Sequence, residues 1–182
     1  MYGLINEGIR ELVVRLAGPD TWEEICREAG IAPEGFEPLC PYDDTLTFKL
    51  VDLASQKLKL PTDEVLIRYG HYWITYTAQS GYGNVMKLLG GDLRTCLLNL
   101  NRLHAHMGVL MPALRPPRFT VEALEKDRMV IHYHSHRTGL GPMVKGLLQA
   151  LAEKHGNPIT IIHSPKEGYS DHDTFLVEFA SV

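Results

Sequence analysis

The chain has few cysteines to work with. Its 182 residues hold three cysteines, Cys26, Cys40 and Cys96, an odd number without CxxC spacing. That excludes a disulfide framework and a thiolate-built zinc site, and it places the chain in a reducing cytoplasm. Long apolar runs are missing too. None approaches the ~20 residues that cross a bilayer, so no membrane insertion is expected. The opening Met1-Tyr2-Gly3-Leu4-Ile5-Asn6-Glu7 lacks the basic segment and apolar core of a signal peptide. Runs of Lys and Arg are absent and the net charge is −4, which excludes nucleic acid as the main partner. Repeats and low-complexity tracts are lacking as well. What is present is 45% hydrophobic residues, enough to build a core and still enclose a pocket.

The first half reads as helices. Leu4, Ile5, Ile9, Leu12, Val13 and Leu16 recur at helical spacing until Gly18-Pro19. Asp20 and Glu23 resemble a capping box for a second helix that Gly30 ends. A loop with three prolines fills 31–42. Further helices are expected over 43–59, from Thr62 to about Gln79, near 83–89, and from Asp92 to about Met111. After Pro112 the period changes. Arg118–Ala123 and Met129–His136 alternate as a hairpin, 158–163 and 173–180 read as two more strands, and a helix with Pro142 near its start runs to about His155. The expectation is an α+β fold: a helical lobe over about 1–62, then a lobe over about 63–182 in which helices pack on a four-stranded antiparallel sheet.

Two histidine-bearing segments carry chemistry. On the 92–111 helix the apolar stripe is Leu93, Leu97, Leu100, Leu103, Met107 and Met111, and His104 falls on it. His106 lies about 200° further round, on the wet side. One imidazole on a greasy wall is what a five-coordinate haem requires, although the same spacing also describes an ordinary core histidine. In His132-Tyr133-His134-Ser135-His136-Arg137 two messages alternate. Met129 and Ile131 share a face with Tyr133, Ser135 and Arg137, so those three point inward and the histidines outward. Two hydroxyls and a guanidinium suit a pair of carboxylates such as haem propionates. The alternative is a zinc-dependent enzyme using His132, His134 and His136, with a further ligand from a distant part of the chain.

These residues, in this order and spacing, resemble the haem-nitric oxide/oxygen binding (H-NOX) family, which includes the sensor domain of soluble guanylate cyclase and stand-alone bacterial sensors. The likeness runs from Met1-Tyr2-Gly3-Leu4-Ile5-Asn6 through Asp20-Thr21-Trp22, Tyr72-Trp73-Ile74-Thr75-Tyr76, Asn101-Arg102-Leu103-His104 and Arg115-Pro116-Pro117-Arg118-Phe119 to Tyr133-x-Ser135-x-Arg137. The resemblance implies a single domain over 1–182 with haem b buried between its lobes and His104 as the axial metal ligand. It implies that Tyr133, Ser135 and Arg137 hold the propionates, that Pro117 presses on the macrocycle, and that Ile5 and Leu103 pack on it. It places Trp73 and Met143 in the distal pocket. Oxygen-binding members carry a distal tyrosine where this chain has Pro142, which cannot donate a hydrogen bond, and the aligned support residue is apolar Ile9. The expectation is therefore a sensor of nitric oxide and carbon monoxide that excludes dioxygen, not an enzyme. Its output would pass to a separate partner, a histidine kinase or a cyclic-di-GMP enzyme.

Overall fold

The computed structural model describes residues 1–77, 84, 89–125, 127–166 and 171–180. The short helix expected near 83–89 falls, apart from Asn84 and Leu89, outside these residues. The chain divides into two compact units, Met1–Tyr69 and Gly70–Val182.

The first unit is helical: α1 (Gly3–Ala17), α2 (Pro19–Ala29), α3 (Asp44–Leu58) and the first half of α4 (Thr62–Thr77). Of the α1 stripe, Leu4, Ile9, Leu12 and Val13 are in the core and Ile5 is half-buried, while Leu16 in the last turn is exposed. Helix α2 starts at Pro19, with Gly18 at the cap position and no side-chain cap; Asp20 lies in the first turn rather than at the N-cap. Proline suits a first helical position, whose N–H has no intrahelical partner to lose. Asp43 caps α3 by accepting from the Thr45 N–H. Buried Asn6 joins α1 to α3 by accepting from the Thr47 hydroxyl at 2.6 Å. The carbonyl of Ile5 accepts from the Tyr69 hydroxyl at 2.8 Å.

The second unit is the expected α+β lobe. Strands β1 (Arg118–Glu125), β2 (Arg128–His134), β3 (Ile159–Ser164) and β4 (Asp173–Phe179) form one antiparallel sheet in the order β1-β2-β4-β3. Along β2, Met129, Ile131 and Tyr133 are buried while their neighbours are half-exposed, so one face of the sheet is the core. Phe175 and Val177 of β4 extend that face. Helix α7 (Gly141–Lys154) packs on β3 through the period-3.6 set Val144, Leu148 and Leu151.

Sequence periodicity joins residues 92–111 into one helix; the structure breaks it in two, α5 (Leu93–Leu98) and α6 (Leu100–Leu110). Asn99 sits between them at φ −93°, ψ 1°, and its amide donates to the Leu89 carbonyl at 3.1 Å. An asparagine side chain that competes for backbone partners is a weak point in any helix. The alternation reading also overextends β2, which ends at His134. Ser135, His136 and Arg137 lie in the turn that follows.

Candidate functional site

Helix α6 carries the central residue. His104 is half-buried, and among the described residues its buried Nδ1 has no hydrogen-bond partner. Such an atom normally costs about 1–3 kcal/mol unless something satisfies it. Burial holds the pKa of His104 below the usual imidazole value, so the ring stays neutral, as a metal ligand must be. Leu103 packs beside it on the core. His106 is exposed, on the other side of the helix.

Three aromatic rings follow one another from α6 into the sheet. His104 stacks on Phe119 of β1, with centroids 5.8 Å apart and planes at 22°. Phe119 lies against Tyr133 of β2, its register partner, at 5.4 Å. The contact is fixed from the backbone side by Asn101. Its side-chain amide donates to the Phe119 carbonyl at 2.5 Å, and its carbonyl oxygen accepts from the Phe119 N–H at 2.9 Å. Sequence reasoning did not assign Asn101 or Phe119 to the site. The available signal was the i, i+3 spacing of Asn101 and His104, which puts both on one side of the helix.

Beyond Tyr133 the chain supplies a linked set of donors. Tyr133 is buried, and that burial pushes its pKa up despite a hydrogen bond with Ser135, so the hydroxyl keeps its proton. The Ser135 Oγ accepts from the Arg137 N–H at 3.1 Å. The half-buried Arg137 guanidinium donates to the Arg115 carbonyl at 3.0 Å, which ties it to the segment holding Pro116 and Pro117. Pro117 is half-buried immediately before β1. The inward triad of the sequence reading thus becomes one strand residue and two turn residues. They are linked by the Tyr133–Ser135 side-chain hydrogen bond and by the Arg137 N–H donating to Ser135 Oγ, rather than by strand alternation.

Trp73 and Met143 are both half-buried. They lie on helices that meet closely, because a Cβ on Gly70 would come within 1.9 Å of the Met143 carbonyl oxygen. Pro142 occupies the first turn of α7. Ile5 is half-buried and Ile9 fully buried in α1, within the other compact unit.

On the outer face of the sheet, His132 and His134 are half-buried and His136 is exposed past the strand end. The structure does not gather these three into one row.

A neutral imidazole on an apolar helix face, with a protonated phenol, a serine and a guanidinium at the end of one strand, fits a tetrapyrrole with acidic side chains. The Haem-NO-binding family model matches residues 2–163, and the chain belongs to that family, one of haem-binding gas-sensor domains. Among curated relatives, it is 35% identical over 158 residues to soluble guanylate cyclase gcy-32 of Caenorhabditis elegans, covering 85% of this chain and 23% of that one. It is 30% identical over 122 residues to the guanylate cyclase soluble subunit beta-2 of Rattus norvegicus, covering 63% and 18%. The chain thus spans about a quarter or less of the length of these relatives. The fold matches an H-NOX protein from S. oneidensis in its Fe(II)NO ligation state with TM-score 0.89, 21% identity and full coverage of both chains. It also matches an oxygen binding H-NOX domain related to soluble guanylate cyclases with TM-score 0.83 and 18% identity, covering 100% of this chain and 96% of that one. Neither the family nor the fold supports a zinc-dependent enzyme. Among the described residues, no helix is long and apolar enough to cross a membrane.

Proposed function

We propose that residues 1–182 form a cytoplasmic haem-based gas sensor, without catalysis of its own, that binds nitric oxide and carbon monoxide at a five-coordinate ferrous haem b and excludes dioxygen. The observation that carries this reading is the neutral imidazole of His104, whose buried Nδ1 has no hydrogen-bond partner among the described residues. His104 would be the axial ligand. Tyr133, Ser135 and Arg137 would hold the propionates. Pro117, Ile5 and Leu103 would pack on the macrocycle, and Trp73 and Met143 would line the gas side. When bound, the haem would supply an iron that a diatomic gas can bind, and His104 would be the residue that holds that iron to the chain.

The chain's own residues set selectivity and response. Pro142 offers no N–H or hydroxyl where oxygen-binding members place a tyrosine. Bound dioxygen would then lack a hydrogen bond of the order of 1–3 kcal/mol, whereas nitric oxide and carbon monoxide need none. His104 tethers α6 at its centre. Asn101 holds the same helix to β1 one turn earlier, and Asn99 interrupts the backbone just before it. Release of His104 would leave α6 free beyond the Asn101 clamp, and the strained fit against Pro117 would relax. A gas shifts this equilibrium only by its different affinity for the tethered and released states. The output would go to a separate partner, a histidine kinase or a cyclic-di-GMP enzyme.

The test is the absorption spectrum of the ferrous protein alone and with each gas. His104→Gly should lose the five-coordinate spectrum and regain it with free imidazole. A spectrum untouched by that substitution overturns the reading, and a stable oxy-complex in air overturns the selectivity. Pro117→Ala should flatten the macrocycle and shift gas affinity; unchanged haem geometry would remove that part of the mechanism.

A further inference from the structure

The outer face of the sheet carries a second constellation that the sensor reading leaves unused. We propose that His134, Asp171 and His172 form a binding site for zinc, with His132 positioning the His172 ring. The ligand atoms of His134, Asp171 and His172 all lie within 4.8 Å of one another. His134 ends β2, and β4 pairs with β2 so that His132 faces Thr174 and Tyr133 faces Asp173. One step further along that register His172 stands opposite His134, and their ring centroids are 4.3 Å apart. The Asp171 carboxylate lies 2.6 Å from His172 Nδ1 and 4.0 Å from His134 Nδ1. His132 Nδ1 lies 2.9 Å from His172 Nε2.

Imidazole nitrogens and a carboxylate oxygen are a donor set for zinc. Ligand atoms around a tetrahedral zinc stand about 3.3–3.5 Å apart, given bonds of about 2.0–2.1 Å. The 2.6–4.8 Å spread here closes to that range with small side-chain shifts. A ligating imidazole characteristically has its other nitrogen engaged by a neighbour, which fixes the ring and its tautomer. His132 is placed to do this for His172. Its own buried Nε2 has no hydrogen-bond partner among the described residues, with Glu122 Oε1 3.6 Å away. The set differs from the consecutive alternation His132, His134, His136, since His136 lies in the turn beyond the strand. The fourth position falls to water. The metal would cross-link the end of β2 to the residues that lead into β4, one position from both Tyr133 and Ser135. The proposal does not depend on the haem reading.

The test uses the haem-loaded full chain, dialysed against a chelator and titrated with zinc chloride by calorimetry, with metal content by elemental analysis. One zinc per chain is expected. Asp171→Asn and His172→Gln should each weaken binding at least tenfold, and His132→Gln should weaken it about 10–100-fold, the usual effect of losing a residue that orients a ligand. His136→Ala should leave it unchanged. Asp171 is 82% exposed in its side chain, so its variant should keep the fold, checked by circular dichroism and the haem absorption band. Binding well below one equivalent, or binding that survives the combined Asp171→Asn and His172→Gln change, overturns the proposal.

Discussion

Asn101 and Phe119 are joined by two reciprocal hydrogen bonds, side-chain amide to backbone carbonyl and backbone N–H to side-chain oxygen. The pair docks α6 on β1 and lays the His104 ring on the Phe119 side chain. Asn101→Ala removes both bonds and leaves the Phe119 N–H without its partner. The expected loss is about 1–3 kcal/mol of unfolding free energy, read from the denaturant midpoint of the apoprotein. Asn101→Asp keeps the acceptor and loses the donor, so it should fall between the two. No change in midpoint for the alanine variant would show that the clamp does not hold the helix.

The donors beyond Tyr133 make a prediction about haem retention. Arg137→Ala deletes the charged donor and Tyr133→Phe deletes a buried hydroxyl. A hydrogen bond to a charged group is worth about 1.5–3 kcal/mol, so Arg137→Ala should speed haem transfer to an apo-globin acceptor by roughly 10–100-fold. Tyr133→Phe should have a smaller effect, because Ser135 and Arg137 remain. Equal loss rates in the wild type and both variants would exclude these residues as anchors.

Gly70 is the point where the second half of α4 meets the start of α7. Its helical backbone would accept alanine, but the added Cβ would meet the Met143 carbonyl at 1.9 Å and the Leu147 nitrogen at 2.9 Å. Backbone atoms cannot swing aside as a flexible side chain does. Gly70→Ala should therefore cost about 1–3 kcal/mol through forced separation of the helices, against a gain where only propensity counts. Thermal unfolding checks the sign. A variant as stable as the parent would mean that the helices part without cost.

The thiols should separate by reactivity. Burial pushes the pKa of Cys26 and of Cys96 above the ordinary thiol value, which reduces the reactive thiolate at any given pH. Cys96 lies 3.2 Å from His155 Nε2, yet its shift is still upward. Cys40 is exposed. At pH ~8 iodoacetamide should label Cys40 first, and labelling of the other two should lag until the pH rises or the chain unfolds, as peptide mass spectrometry would show. Fast labelling of native Cys96 would mean that His155 activates it.

Much of this arrangement was legible in the sequence where periodicity and burial agree. The α1 stripe, the one-sided β2 and the place of His104 on its helix all follow from spacing of apolar residues, since a sheet or helix must bury one face. Boundaries were less legible. The apolar period runs straight through Asn99, and only its side-chain bond to Leu89 reveals the break. Alternation likewise continues past His134 on paper, while the ladder stops there and Ser135 turns to bond the Arg137 backbone. Asn101 escaped because a polar residue beside an apolar stripe reads as solvated. Its partner lies 18 residues away across a change of secondary structure. His172 escaped for the same reason, being placed against His132 and His134 only by strand pairing.

Strand β3 borders the sheet, and prolines flank it on both sides, Pro158 before Ile159 and Pro165 after Ser164. A border strand offers an open row of amides and carbonyls to any extended segment that drifts past. Proline has no amide hydrogen to give, so the six-residue border cannot lengthen in either direction without losing a rung. With Ile162 exposed on the outward side, that punctuation limits how much backbone a stray strand could pair with.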